Sequence, residues 1–140
     1  MDKLIKTLTF ILLTFNLFAH SGKADYHVII DTDGGTDDLR AITALLASEN
    51  IEIISFLASD GALPAEETAQ KLWGLLTSFH HEGIPIGVGG KDDFDRPGWY
   101  DVASRTSWGK VPVEKRSFPS ATGLLEKELE MEDGPVLLIC

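Results

Sequence analysis

Cysteine is nearly missing from this sequence. Cys140 stands alone, which excludes an internal disulfide framework and leaves packing to hold the core. Basic residues are scarce, 12 Lys and Arg against 22 Asp and Glu, for a net charge of −10. A surface of that sign repels phosphate backbones and argues against a nucleic-acid partner, while it accommodates a cation and a neutral small molecule. Repeats and low-complexity tracts are absent, and long apolar runs are limited to one near the start. What remains, 44% hydrophobic and 24% charged residues over 140 positions, suits one modest globular domain.

The apolar run extends from Ile5 to Ala19, after Lys3 and Lys6 and before the small-residue stretch Ser21-Gly22-Lys23-Ala24. That layout is expected of a secretory signal peptide over residues 1 to 24, cleaved after Ala24. Thr residues and Asn16 interrupt the run, which is short for a membrane span. A retained anchor or a buried helix is the alternative. The expectation is therefore an exported protein, periplasmic or extracellular, with no stable membrane association once the leader is gone. Its loss removes Lys3, Lys6, Lys23 and Asp2, leaving 9 basic and 21 acidic side chains, a net charge of −12.

From residue 25 to 140, short apolar runs alternate with amphipathic ones, the pattern of an α/β domain with a mainly parallel sheet. Strands are expected at Tyr26 to Ile30, Ile51 to Ala58, Ile84 to Val88 and Pro135 to Ile139. Helices are expected at Thr36 to Ser48, about Pro64 to Phe79, with Gly83 as its stop, and Ser120 to Met131. Between Gly89 and Pro119 the pattern dissolves into a long segment bearing Phe94, Trp99, Tyr100 and Trp108. Such segments are commonly functional loops, and these rings either pack on the body or flank an aromatic ligand. Trp73 reads as core, His80-His81 as the cationic end of a helix, and Cys140 as a strand-end residue rather than a nucleophile. A buried parallel strand normally feeds a covering helix, so the chain reads as truncated after its fourth strand.

The segment IIDTDGGTDDLRAI, residues 29 to 42, holds the densest chemistry. Asp31 and Asp33 are two apart on a strand and project the same way from its carboxyl end. Thr36 suits a helix N-cap, which puts Asp37 and Asp38 in the first turn. Two carboxylates about 5 Å apart repel by roughly 3 kcal/mol at an effective dielectric of 20. A helix N-terminus returns only about 0.3 to 1 kcal/mol per carboxylate. Either some of the four splay into solvent, as ordinary capping and turn chemistry would have it, or a hard cation such as Ca²⁺ or Mg²⁺ sits among them. An EF-hand is excluded, because Thr36 and Ile42 stand where its Gly and closing Glu belong. Gly34-Gly35 lacks the P-loop Lys, and the charge around it opposes a phosphate.

These residues resemble the amino-terminal signature of the inosine/uridine-preferring nucleoside hydrolases, D-x-D-P-G-x-D-D. Further likenesses lie at Ile53 to Gly61, at Gly83-Ile84-Pro85-Ile86-Gly87-Val88-Gly89, and at Gly134 to Cys140, which is similar to the strand preceding the family's G-P-L-T-N segment. The resemblance implies a Rossmann-like α/β fold, of which residues 25 to 140 form the amino-terminal part, and hydrolysis of the N-glycosidic bond of ribonucleosides with Ca²⁺. It implies that Asp33 is a calcium ligand and the general base, that Asp38 is a second ligand, that Asp37 binds the ribose hydroxyls, and that Asp31 supports the cluster from behind. Asp60 stands about where the family has a ribose-binding Asn.

Gly34 replaces the family's Pro, and Asp60 exchanges an amide donor for an acceptor. A further backbone-carbonyl ligand, a late Asp ligand and a His that often protonates the leaving base have no counterparts, so the expected site is incomplete and the 140 residues inactive. Two other readings stay open. One is an exported binding protein that keeps the aspartate pocket for sugars or nucleosides. The other is a Mg²⁺ phosphatase of the haloacid-dehalogenase type, whose D-x-D-G-T resembles Asp31 to Thr36. A homo-oligomer is compatible with each.

Overall fold

The computed structural model describes residues 24–90, 94–110 and 115–140. The expected leader lies outside them, apart from Ala24. Four strands form one sheet: β1 (Tyr26–Thr32), β2 (Ile51–Ala58), β3 (Ile86–Val88) and β4 (Val136–Ile139). Their order is β3-β2-β1-β4 and every pairing is parallel. The α/β reading is thus correct, and it follows from β1 and β2 being apolar on both faces, as a sheet covered on both sides requires.

Helices α1 (Thr36–Leu46) and α2 (Ala65–Phe79) connect β1 to β2 and β2 to β3. Ile42 of α1 and Leu72, Leu75 and Leu76 of α2 share one buried cluster with Val28, Ile30, Ile53 and Phe56. Helix α3 (Tyr100–Arg105) and helix α4 (Ala121–Met131) follow β3. Leu124 of α4 packs with Ile29 and Leu57 on the other face. Among the described residues no helix is long and apolar enough to cross a membrane.

Several boundaries differ from expectation for physical reasons. β1 runs on to Thr32 because its backbone keeps pairing with β2, Thr32 opposite Ala58. Thr36 is the first residue of α1 rather than its cap; Gly35 occupies the cap without a side-chain bond. α2 stops in a left-handed His80, φ 61°, whose N–H meets Leu76 O, so Gly83 is not its stop. β3 begins only at Ile86, although Pro85 still accepts from Phe56 N–H. The segment after Gly89 contains α3, a six-residue helix. Ser120 does cap α4, accepting from Gly123 N–H.

The route through the sheet positions the site. The chain moves outward from β1 to β2 and β3, then returns to β1's other side as β4. Connections therefore diverge between β1 and β4, the crevice where open α/β sheets take ligands at the strands' carboxyl ends.

Candidate active site

Asp31 and Thr32 close β1 at that crevice, Asp33 follows, and the Gly34-Gly35 turn leads directly into α1 with Asp37 and Asp38 in its first turn. Gly34 has φ +83°, a left-handed value open to glycine, and its N–H donates to Thr32 Oγ1 at 3.2 Å. The same Thr32 hydroxyl donates to Asp38 Oδ2 at 2.5 Å. Thr32 is buried, so it serves as a fixed post linking strand, turn and helix.

Asp33 is held on both oxygens by backbone amides. Oδ1 accepts from Gly35 N–H and Oδ2 from Ala62 N–H, each at 3.0 Å. The Ala62 bond comes from the turn after β2, and Leu63 N–H reaches Asp33 O at 2.9 Å. Gly61 makes this approach possible: a Cβ there would lie 2.3 Å from Asp33 Oδ2.

The carboxylates converge at Gly35. A Cβ on that residue would stand 2.8 Å from Asp37 Oδ1, 3.3 Å from Asp33 Oδ1 and 3.7 Å from Asp38 Cγ. Burial raises the pKa of Asp38 above the usual carboxylate range, the Thr32 hydrogen bond opposes this, and the charges of Asp33 and Asp37 add to it. Asp37 is exposed, whereas Asp31, Asp33 and Asp38 are half-buried. Asp31 Oδ1 is buried with no hydrogen-bond partner.

A pocket of about 590 Å³ opens over this cluster, lined by Asp31, Asp33, Asp37 and Asp38, a volume that suits a small-molecule ligand. Its opposite wall comes from Trp99 and from Val102 and Ala103 of α3, with Cys140 at the end of β4 completing the rim. The five expected aspartates do not all meet there. Asp60 is absent from the lining, and its Oδ1 accepts from Ala65 N–H at 2.8 Å, at the start of α2.

The aromatic segment divides in two. Trp108 is 3% exposed and joins the main core, while Trp99 is 62% exposed at the pocket. Trp73 packs against the core, with the Arg116 guanidinium 3.9 Å above its ring. Sequence reasoning missed Thr32, the Ala62 amide and the α3 wall. Thr32 could have been suspected from its place between two aspartates, whereas a backbone amide leaves no residue signature.

A family model described as inosine-uridine preferring nucleoside hydrolase matches residues 28–133. The chain belongs to that family. Among solved structures, it is similar to a purine-preferring ribonucleoside hydrolase from Gardnerella vaginalis, with a TM-score of 0.59 and 20% identity over 74% of this chain and 36% of that one. At that identity the likeness bears on the fold, and the chain spans little more than a third of the relative's length. No curated protein matches it.

Within the family's setting, the cluster can be tested as a cation site. Its donors are hard carboxylate oxygens, the type that Ca²⁺ and Mg²⁺ take, and the buried Asp31 Oδ1 has no hydrogen-bond partner among the described residues, leaving it open to a donor or a cation. Among the described residues, no three His, Cys, Asp or Glu side chains are arranged to hold a metal together. The set thus fits a hard cation in donor type, while its described side chains do not enclose one.

Proposed function

We propose that the pocket at the end of β1 is the amino-terminal side of a ribonucleoside N-glycosidic hydrolase site. The carrying observation is the convergence of Asp33, Asp37 and Asp38 around Gly35, opposite an apolar wall. Carboxylates suit a ribose diol, and Trp99 and Val102 suit a nucleobase face.

In this reading Asp33 and Asp38 hold the cation, taken to be Ca²⁺, with Asp31 behind them. When bound, it would lower the pKa of a water and fix the ribose diol. Asp33 would accept a proton from the water that attacks the anomeric carbon as the C–N bond breaks and the base leaves, taking a proton from solvent, while Asp37 would accept from the sugar hydroxyls. The amides of Gly35 and Ala62 aim Asp33. Asp60 stands outside the pocket lining, with Oδ1 engaged by Ala65 N–H. Residues 1 to 24 act as a cleaved export signal, and sequencing the amino terminus of the secreted protein would show Asp25 first.

The experiment is incubation of the protein with inosine or uridine and Ca²⁺, with free base measured chromatographically and Ca²⁺ binding measured by calorimetry. For these 140 residues the expected result is no measurable turnover and a weak calcium Kd of about 10⁻⁴ to 10⁻³ M, lost in Asp33→Ala and Asp38→Ala. Robust hydrolysis overturns the expected inactivity. Calcium binding that survives both substitutions overturns the site.

The amide-held Asp33 favours a second reading, a binding protein that retains nucleosides without hydrolysing them. Tight nucleoside binding without base release would establish it. The phosphatase reading draws no support from the family match.

A further inference from the structure

Helix α3 has six residues, too few to be stable by itself. Ala103 alone among them is buried, against Ala62, Leu63 and Tyr100, while Trp99 and Val102 stay exposed toward the pocket. Apolar burial therefore does little to hold it in place. Its polar contacts come mainly from one face of α2. Lys71 Nζ donates to Ser104 O and Thr106 O, each at 2.8 Å, at the carboxyl end of α3. One helical turn earlier on α2, Glu67 Oε2 accepts from Tyr100 OH at 3.3 Å, at the amino end. Residues four apart lie on the same side of a helix, so the pair meets both ends of α3.

We propose that Glu67 and Lys71 are positioning residues, a two-point clamp that holds α3 against the aspartate pocket and so sets its base-side wall. The consequence for ligand selection rests on the reading of the pocket given above; the clamp itself does not. A lysine ammonium satisfies two carbonyls that the end of a helix leaves without partners. The gripped segment also touches the carboxylate side, where the Thr106 hydroxyl lies 3.4 Å from that of Thr36, next to Asp37. Ala62, beneath α3, is the residue whose N–H holds Asp33. A shift of α3 would thus be felt on both walls.

The test uses the whole chain with Lys71→Met, Glu67→Gln and Lys71→Arg. Hydrogen exchange should accelerate about tenfold or more across residues 100 to 106 in Lys71→Met, less in Glu67→Gln, and stay slow in β1 and α2. Lys71→Arg, which can still donate to both carbonyls, should restore protection. In calorimetry, inosine affinity should fall about five- to tenfold in Lys71→Met while ribose affinity stays within about twofold, a split that general destabilisation does not produce. Unchanged exchange over α3 in Lys71→Met overturns the clamp. A released α3 with unchanged inosine affinity overturns its role in setting the wall. If the unsubstituted protein binds neither inosine nor ribose, the reading of the pocket fails, and the exchange pattern still decides the clamp.

Discussion

The two flanks of β1 are built very differently. On the β2 side, strand and helix close over each other, and Phe56, Leu72 and Leu76 are fully shielded. On the β4 side, a four-residue strand pairs with β1 along one edge and leaves Leu137, Leu138 and Ile139 exposed. The aspartate cluster sits on the seam. Asp33 and Asp38 are oriented by Gly35, Ala62 and Thr32, whereas among the described residues the open flank contributes Cys140 at the rim. One side of the pocket is tied by hydrogen bonds to the closed flank, while the β4 side stands open.

The largest test of that contrast is truncation on each flank. Phe56→Ala should cost about 3–5 kcal/mol, as expected for a fully buried ring, and Leu138→Ala under about 1 kcal/mol, since Leu138 is 55% exposed. Urea unfolding measures both, and comparable costs would mean that β4 is covered in solution. Next in size is Gly34→Pro, which introduces the family's usual residue. Proline fixes φ near −65°, whereas Gly34 has φ +83°, donates through its N–H and would bring a Cβ to 2.6 Å from Thr68 Oγ1. A loss of about 1–3 kcal/mol is expected; a gain would show that this turn follows the proline-compatible path instead.

The smallest effect concerns Asp38. Its carboxyl is raised by burial and by its acidic neighbours, so the folded state keeps a proton that the unfolded chain has already released. Stability must then fall as pH rises from the ordinary carboxylate value through the folded one. Asp38→Asn cannot ionise. It should be more stable than the unsubstituted protein above that window and converge with it below, in thermal melts across acidic pH without added cation. A difference independent of pH would mean that Asp38 is not the titrating group.

Much of the closed flank was legible in the residues themselves. The apolar runs of β1 and β2 and the leucine spacing of α1 and α2 carry their own periodicity, and the DTDGGTDD run lies at the pocket that opens at the end of β1. Helix α3 was not legible, because six residues that bury one alanine generate no repeat. Nor could Trp108 be told from Trp99, since both lie in the same irregular stretch and only tertiary packing separates a core ring from an exposed one. Asp60 was assigned toward a sugar from its position by resemblance, whereas the nearby start of α2 offers its carboxylate an amide. The stop at His80 was hidden by a preference for glycine at left-handed positions that the chain does not follow there.

Holding Asp33 by amides rather than side chains has an evolutionary corollary. Position 62 keeps its N–H whatever its side chain, but Ala62 is buried beneath α3, so only a small side chain fits there without displacing that helix. The sharper restriction falls on residue 61, where even a methyl group would meet Asp33. Among relatives that share this turn, the tightest constraint is expected at the position with no side chain, and a preference for small residues at its neighbour.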